Sequence, residues 1–224
     1  MKGYRLIRNA DIVFLPINRS KSFAGEIVKD YLTDKKTVEI EFPMGKVDGK
    51  RYEEAADTID SRLEDGETGV FLTLGDPMVY STFSYLMAEL EKIGIRVESV
   101  PGISSFQAAA NRIRLPLACK GQNFYLTDGE IDEEVLRHVD TVAILKAGKD
   151  KEKLLDLLES RGFAYSYIRR CGCPEETILY NKEEILKEED YMSLILGRRR
   201  KHDSFCGSGS GRCGSDNGKG QKTD

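Results

Sequence analysis

The feature that most constrains the fold of this chain is a short apolar segment that ends in a Gly-Asp-Pro turn. Val70, Phe71, Leu72 and Leu74 are apolar without regular polar alternation, and Gly75-Asp76-Pro77 follows them directly. Such a run predicts a strand that is covered on both faces, which is typical of a mainly parallel sheet. Ligands of these sheets bind at the carboxyl ends of the strands. We therefore expect an α/β protein with a binding loop after this strand.

A second strand and loop follow the turn. Residues 82–93 place apolar side chains on one helical stripe, and residues 96–100 predict the next strand. Pro101-Gly102 then opens a loop, and Ser104 with Gln107 forms a Ser-x-x-Gln capping box that predicts a helix start. The first-turn amides of that helix and its dipole are expected to face the same crevice as the Gly-Asp-Pro turn.

The remaining apolar pattern predicts two lobes. The first alternates strands and helices around a mainly parallel sheet, and the second has shorter connections, which indicate a mixed sheet. A boundary near Leu115-Pro116-Leu117 gives lobes over residues 1–116 and 117–197, with the cleft between them as the default ligand site. Further strands are expected over residues 11–17, 37–42, 122–127, 141–146, 165–169, 177–180 and 191–196. Further helices are expected over residues 22–32, 52–63, 132–139 and 151–160.

Charge and length restrict the class of partner. The chain has 224 residues, enough for a sizeable core, and neither a bilayer-spanning apolar stretch nor a signal peptide is visible, which predicts a cytoplasmic protein. The net charge is −4, but residues 197–224 contain seven Lys or Arg and three Asp, so the remainder carries −8. An acidic body is poorly suited to a nucleic-acid backbone. A small-molecule ligand is the better expectation.

Residues 198–224 predict a disordered basic tail rich in Gly and Ser. Residues 209–214 match the Gly-x-Gly-x-x-Gly pattern, but no strand leads into them and no helix follows, so no nucleotide site is expected. His202, Cys206 and Cys213 are three possible zinc ligands where a structural site needs four, so no metal is expected. The five unevenly spaced cysteines predict reduced thiols and not a disulfide framework.

The two loops together carry a family resemblance. Thr73-Leu74-Gly75-Asp76-Pro77-Met78-Val79-Tyr80-Ser81-Thr82, followed by Val100-Pro101-Gly102-Ile103-Ser104-Ser105-Phe106-Gln107-Ala108-Ala109-Ala110, resembles the tetrapyrrole (corrin/porphyrin) methylases. Within that family the block is most similar to the C-20 methylases of precorrin-2 and cobalt-precorrin-2. Over about residues 5–196 the resemblance implies a two-lobed α/β homodimer that uses S-adenosylmethionine to methylate a tetrapyrrole in cobalamin biosynthesis.

The resemblance also implies which residues hold the methyl donor. Those in the first lobe are Gly75, Asp76, Pro77, Tyr80, Ser81, Ser104 and Ser105, and those in the second are Lys146, Ala147, Cys171 and Gly172. For the second group, ordinary strand ends remain the alternative interpretation. The general base that removes the C-20 proton is not identified, and its candidates are Asp76 and Tyr80.

The acceptor implied by the resemblance is a polycarboxylate, so its binding surface needs cations. Arg112, Arg114 and Lys120 follow the Ser104 helix and are the expected cations, with solvated surface charge as the alternative role of each. Methyl transfer from a sulfonium requires that the donor methyl and the acceptor carbon are aligned and that water is excluded. It requires neither a metal nor a nucleophilic triad.

One departure from the family is expected to affect activity. Family members begin with a strand and a Gly-x-Gly-Pro-Gly-Asp loop ahead of the helix that here contains residues 5–10, and this chain lacks that opening. We therefore expect weakened activity, or a truncated protein that binds the cofactor without turnover. Another methylase of the same fold, of the diphthine synthase or ribosomal-RNA methylase type, is the remaining alternative, and the acidic body disfavours an RNA substrate.

Overall fold

The chain forms two compact units in a computed structural model, Met1–Ser104 and Ser105–Asp224. The division falls at Ser104 and not near Pro116, because the helix that follows Ser104 packs with the second unit. The Phe106 ring of this helix stacks on Phe124, with 5.6 Å between the ring centroids. The structure describes residues 2–18, 21–42, 49–147 and 150–200.

The first unit is built on a parallel three-stranded sheet in the order β2-β1-β3. Its strands are β1 (Ile12–Ile17), β2 (Lys36–Glu41) and β3 (Gly69–Phe71). Its helices are α1 (Lys2–Asn9), α2 (Phe23–Val28), a short 3-10 helix (Lys29–Tyr31), α3 (Gly49–Asp60) and α4 (Phe83–Lys92). The predicted parallel arrangement is confirmed.

Two helical layers cover this sheet, as the unbroken apolar run predicts. Alternate side chains of a strand point to opposite faces. Val70 and Leu72 accordingly pack with the cluster that contains Ile7 of α1, whereas Phe71 packs with the cluster that contains Leu86 of α4. Apolar burial on both faces therefore stabilises the short strand β3.

The expected strand over residues 96–100 is not formed. Ile95 and Val97 pack against the α3 and α4 side of the core, but residues 95–101 have no regular secondary structure. A strand exists only where its backbone groups are paired, and within the described part of the chain residues 96–101 make no backbone hydrogen bond to another backbone group. The prediction from side-chain pattern alone was wrong at this position.

The second unit contains a mixed sheet in the order β4-β5-β8-β6-β7, in which only β4 and β5 pair in parallel. Its strands are β4 (Phe124–Asp128), β5 (Thr141–Leu145), β6 (Phe163–Arg169), β7 (Thr177–Leu179) and β8 (Ser193–Arg199). Its helices are α5 (Ser105–Arg112), α6 (Glu133–Leu136), α7 (Lys151–Ser160) and α8 (Lys182–Leu186). The mixed sheet is confirmed, whereas α8 was not predicted.

The last strand is longer than the sequence pattern indicates. β8 runs to Arg199, so Arg198 and Arg199 belong to the sheet and not to a disordered tail. Arg198 donates hydrogen bonds to the Pro116 carbonyl and to the Gln122 side chain, which hold its long side chain on the unit. The other tail predictions, including the glycine pattern at residues 209–214 and the three possible zinc ligands His202, Cys206 and Cys213, lie outside the described residues.

Three observations concern the described residues alone. None of their helices is long and apolar enough to cross a membrane. No group of three or more His, Cys, Asp or Glu side chains among them is arranged to hold a metal ion. Cys119, Cys171 and Cys173 are free thiols.

Candidate active site

The Gly-Asp-Pro turn forms a compact loop directly after β3. Gly75 has φ 75°, a left-handed conformation that favours glycine. One carboxylate oxygen of Asp76, Oδ1, accepts a hydrogen bond of 2.9 Å from the Met78 N–H, and Pro77 is buried. Asp76 thus turns the chain back on itself, as an aspartate in this position is expected to do.

Asp76 also joins this loop to the loop that contains Gly102. Its second oxygen, Oδ2, accepts a hydrogen bond of 3.1 Å from the Gly102 N–H. A Cβ atom built on Gly102 would lie 2.1 Å from the Gly75 carbonyl oxygen, so the two backbones touch and only glycine fits at position 102. We call residues 75–77 and 101–103 the glycine clasp. It brings together two loops that lie 26 residues apart in sequence.

The side chains that flank the glycine clasp have different environments. Tyr80 has φ 48° and is 52% exposed. Ser81 accepts a hydrogen bond of 3.2 Å from the Phe83 N–H through Oγ, at the start of α4. Ser104 is buried, whereas Ser105 is exposed at the first residue of α5. Of these four predicted donor contacts, Tyr80 and Ser105 therefore have side chains open to solvent.

Large apolar side chains near the glycine clasp are unusually exposed. Leu74 is 46% exposed, Met78 48% and Ile103 73%. Water-exposed apolar groups clustered at a loop favour contact with an apolar ligand surface or another protein. The clasp therefore offers both polar backbone groups and apolar contacts.

In the second unit, Lys146 lies at the carboxyl end of β5 with φ 53°. Its Nζ donates a hydrogen bond of 2.8 Å to Asp128 Oδ2. Burial acts to lower the pKa of Lys146, but the hydrogen bonds to Asp128 and Tyr191 and the charge of Asp128 outweigh burial and raise it above its ordinary value. Ala147 is buried in the core of the unit. A ligand at this position would contact the backbone of Ala147 and not its side chain.

Cys171 and Gly172 lie in a loop that Glu176 organises. Glu176 accepts a hydrogen bond of 2.8 Å from the Gly172 N–H and one of 2.5 Å from Arg112 Nε. These two bonds hold the pKa of the Glu176 carboxyl below its ordinary value. Burial, with the nearby Glu176 charge, raises the pKa of the Cys171 thiol, so this thiol stays protonated at neutral pH. Cys171 is therefore not an activated nucleophile.

The three expected cations are placed differently. Arg112 is paired with Glu176, whose side chain is 12% exposed. Arg114 and Lys120 are exposed, and in the described part of the chain neither forms an ion pair. Sequence analysis missed Glu176, because a glutamate in a charged turn has no local pattern that separates it from a solvated surface residue.

A parallel first sheet with a glycine-lined loop after β3, and a mixed second sheet, define an α/β fold, a class in which ligands bind at the loops after the strands. Residues 1–186 match the family model of the Tetrapyrrole (Corrin/Porphyrin) Methylases. The chain belongs to this family, whose methyl donor is S-adenosylmethionine.

Two relatives by sequence carry names that are more specific than the family. The chain is 34% identical over 210 residues, 90% of both sequences, to a probable cobalt-precorrin-2 C(20)-methyltransferase of Methanocaldococcus jannaschii. It is 32% identical over 176 residues, 72% of both sequences, to the cobalt-precorrin-2 C(20)-methyltransferase of Salmonella typhimurium.

Solved structures share the fold. A cobalt precorrin-4 methyltransferase superposes with a TM-score of 0.72 at 19% identity, covering 88% of this chain and 87% of the other. Uroporphyrin-III C-methyl transferase from Thermus thermophilus, complexed with S-adenyl homocysteine, superposes with a TM-score of 0.65 at 20% identity, covering 88% and 89%. At these identities the likeness shows the fold alone.

Proposed function

We propose that this protein transfers a methyl group from S-adenosylmethionine to C-20 of cobalt-precorrin-2 or precorrin-2. The observation that carries the proposal is the similarity to the Methanocaldococcus jannaschii protein, which extends over 90% of both sequences and not over one motif. The glycine clasp supports it, because its residues 75–77 are among those that the family resemblance assigns to the donor. We also propose that the protein is a homodimer, as the family resemblance implies, and that it works in the cytoplasm, with whose reducing conditions the free thiols of the described residues are compatible.

The glycine clasp fits a methyl donor in its shape and polarity. Gly75 presents backbone without a side chain, and the two bonds that Asp76 accepts from Met78 and Gly102 hold both loops in one arrangement. A rigid, glycine-lined backbone allows close approach of a ligand and lowers the entropic cost of binding it.

S-adenosylmethionine supplies a methyl group that its sulfonium already activates. The residues of the chain then have to bind the donor, align its methyl group with the acceptor carbon and exclude water. The glycine clasp is proposed to align the donor, and exposed Met78 and Ile103 are proposed to cover apolar parts of the acceptor ring. Since Asp76 uses both of its oxygens on backbone N–H groups, its structural role is to hold the clasp.

The acceptor carboxylates require cations. We propose that exposed Arg114 and Lys120 bind them, because in the described part of the chain these two side chains form no competing ion pair. Arg112 is held by Glu176, so its contribution would be to fix the loop around Cys171 and Gly172.

The protein is expected to convert cobalt-precorrin-2 or precorrin-2 into a product one methyl group heavier. With an isotopically labelled donor methyl, NMR of the product should show the label at C-20. Both macrocycle forms are tested separately under anaerobic conditions, because the residues named here do not distinguish a metal-containing ring. A reaction without donor is the control.

Cobalt-precorrin-4 is the informative competing acceptor, since a cobalt-precorrin-4 C(11)-methyltransferase of Methanocaldococcus jannaschii is 31% identical over 119 residues. Methylation of that compound in place of cobalt-precorrin-2 would leave the family assignment intact and contradict the substrate. Donor binding without methylation of any tetrapyrrole would indicate a binding protein without turnover.

Asp76→Asn is expected to weaken S-adenosylmethionine binding about tenfold to hundredfold. Asparagine has one acceptor oxygen, so one of the two hydrogen bonds that the Asp76 carboxylate accepts in the glycine clasp is lost. A hydrogen bond to a charged group contributes about 1.5–3 kcal/mol. Turnover at saturating donor should fall much less. Calorimetry and initial rates measure the two effects. Asp57→Asn, at an exposed position of α3, is the matched control and should leave both unchanged. Loss of turnover with unchanged donor affinity would instead identify Asp76 as the general base.

A further inference from the structure

Strand β8 lies between the two strands whose ends carry the predicted donor residues of the second unit. It pairs antiparallel with β5 on one side and with β6 on the other, and Leu194 is opposite both Leu145 and Ile168. The amino end of β8 therefore lies at the same edge of the sheet as the carboxyl ends of β5 and β6. Residues 190–193 lead into β8 at this edge, and we call them the β8 turn.

A residue with a side chain adopts the left-handed conformation directly after each of these two strands. Lys146 has φ 53° after the end of β5, and Arg170 has φ 48° after the end of β6. This conformation is unfavourable for residues other than glycine and persists only where surrounding contacts impose it. Backbone strain of this kind clusters at ligand-binding sites. The two positions therefore indicate that the loops after β5 and β6 are held in one definite arrangement.

The β8 turn contacts both left-handed residues. The Lys146 N–H donates to the Ser193 carbonyl at 3.1 Å, and the Arg170 N–H donates to the Met192 carbonyl at 2.8 Å. Two successive carbonyls of one turn thus hold the two strand ends. A displacement of the β8 turn would therefore move both loops.

Asp190 fixes the β8 turn and one of the two loops. Its Oδ1 accepts a hydrogen bond of 2.8 Å from the Met192 N–H, and its carbonyl accepts one of 2.7 Å from Ser193 Oγ. Its Oδ2 accepts one of 2.6 Å from Arg170 Nε. The Asp190 side chain is 18% exposed, so water competes little for these bonds. Arg170 is consequently attached to the turn by its backbone and by its side chain.

We propose that Asp190 is a positioning residue for the methyl donor, which acts through Arg170 and not by touching the donor. It holds the loop of Cys171 and Gly172 in the arrangement that binds S-adenosylmethionine. A charged acceptor suits this role, because its strong hydrogen bond has to outweigh the cost of the left-handed conformation of Arg170. The inference rests on the proposed function, in which Cys171 and Gly172 contact the donor.

Asp190→Asn in the whole chain tests this role. Asparagine keeps an acceptor for the Met192 N–H but presents N–H groups to the Arg170 guanidinium, so the hydrogen bond to Arg170 is lost. The donor affinity measured by calorimetry should fall about tenfold, whereas kcat at saturating donor should change by less than about twofold. Glu133→Gln is the matched control, because it removes a charged partner of Arg161, which precedes β6 at the opposite edge of the sheet. This control should leave the donor affinity unchanged.

A second substitution separates positioning from a contribution to stability. Arg170→Gly in the Asp190→Asn chain should restore the donor affinity to within about threefold, since glycine adopts the left-handed conformation without the penalty of a side chain. A merely structural role of Asp190 would lower the free energy of unfolding without lowering the affinity of the folded protein. If circular dichroism shows that Asp190→Asn is unfolded, Arg170→Met replaces it, because this variant removes the same hydrogen bond from its other end. The same loss of affinity is expected.

The outcomes distinguish this inference from the proposed function. Unchanged donor affinity in Asp190→Asn, with normal binding by the unsubstituted chain, would overturn the inference and leave the proposed function intact. Failure of Arg170→Gly to restore the affinity would also overturn the inference, because Asp190 would then act by another route. If the unsubstituted chain does not bind S-adenosylmethionine, the proposed function and the inference are both wrong.

Discussion

Gly102→Ala is expected to lower the affinity for S-adenosylmethionine by at least about a hundredfold. The new Cβ would lie 2.1 Å from the Gly75 carbonyl oxygen, a separation that real structures do not contain, so the two loops of the glycine clasp have to move apart. Each hydrogen bond to the donor that is lost when the loops move costs about 0.5–1.5 kcal/mol, so the loss of two of them corresponds to about a hundredfold at the upper end of this range. Calorimetry with the donor measures the loss directly, and circular dichroism reports whether the fold is retained.

Gly49→Ala is the matched control for that experiment. Gly49 is exposed at the start of α3, and a Cβ atom built on it meets nothing within 4 Å. Alanine also has the higher helix propensity, so this variant should bind the donor normally and be no less stable. Full donor affinity in Gly102→Ala would contradict the assignment of the donor to the glycine clasp.

Arg199→Met is expected to destabilise the second unit by about 2–4 kcal/mol. The Arg199 guanidinium donates to the carbonyls of Leu136, Val139 and Arg161, and it lies 4.6 Å from the Phe163 ring centroid. Methionine keeps much of the apolar side chain but removes every donor, and each of the three hydrogen bonds lost at these partly buried carbonyls costs about 0.5–1.5 kcal/mol. Chemical denaturation followed by circular dichroism measures the change in the free energy of unfolding.

The adjacent Arg200→Met is the control for this change, because the Arg200 side chain is exposed after the end of β8. The hydrogen bond that the Arg200 backbone N–H donates to the Gly162 carbonyl does not depend on the side chain and should remain. Its free energy of unfolding should change by less than about 0.5 kcal/mol. If both variants were equally stable, Arg199 would be a solvated surface charge, as the predicted tail over residues 198–224 implies.

The glycine clasp shows why part of the site was predictable. Glycine, proline and aspartate act on the backbone within two or three residues, so Gly75-Asp76-Pro77 and Pro101-Gly102 indicated loops before any packing was known. That Asp76 uses its second oxygen on Gly102 was not predictable, because the partner is 26 residues away and carries no side chain. Asp76 was a candidate base from its position, and its contacts instead support a positioning role.

The predictions for residues 96–100 and for Arg198 were wrong for a related reason. The sequence predicted a strand over residues 96–100, yet a strand also requires a neighbour with which to pair, and the structure has a cavity there. Conversely, the basic residues after Leu196 indicated a solvated tail, yet Arg198 and Arg199 find carbonyl acceptors on the unit. In both places the decisive groups are backbone atoms of distant residues.

By itself, the sequence determined the α/β class, the parallel and mixed sheets, the two loops and the family, because these depend on local periodicity and on the backbone preferences of glycine and proline. Tertiary structure alone decided that Ser104 ends the first unit, that Glu176 holds Arg112 and Gly172, and that a cavity lies beside β3. These features depend on which backbone groups meet across the fold. Hydrogen-bond pairing over long sequence separations leaves no local signal in the residues that make it.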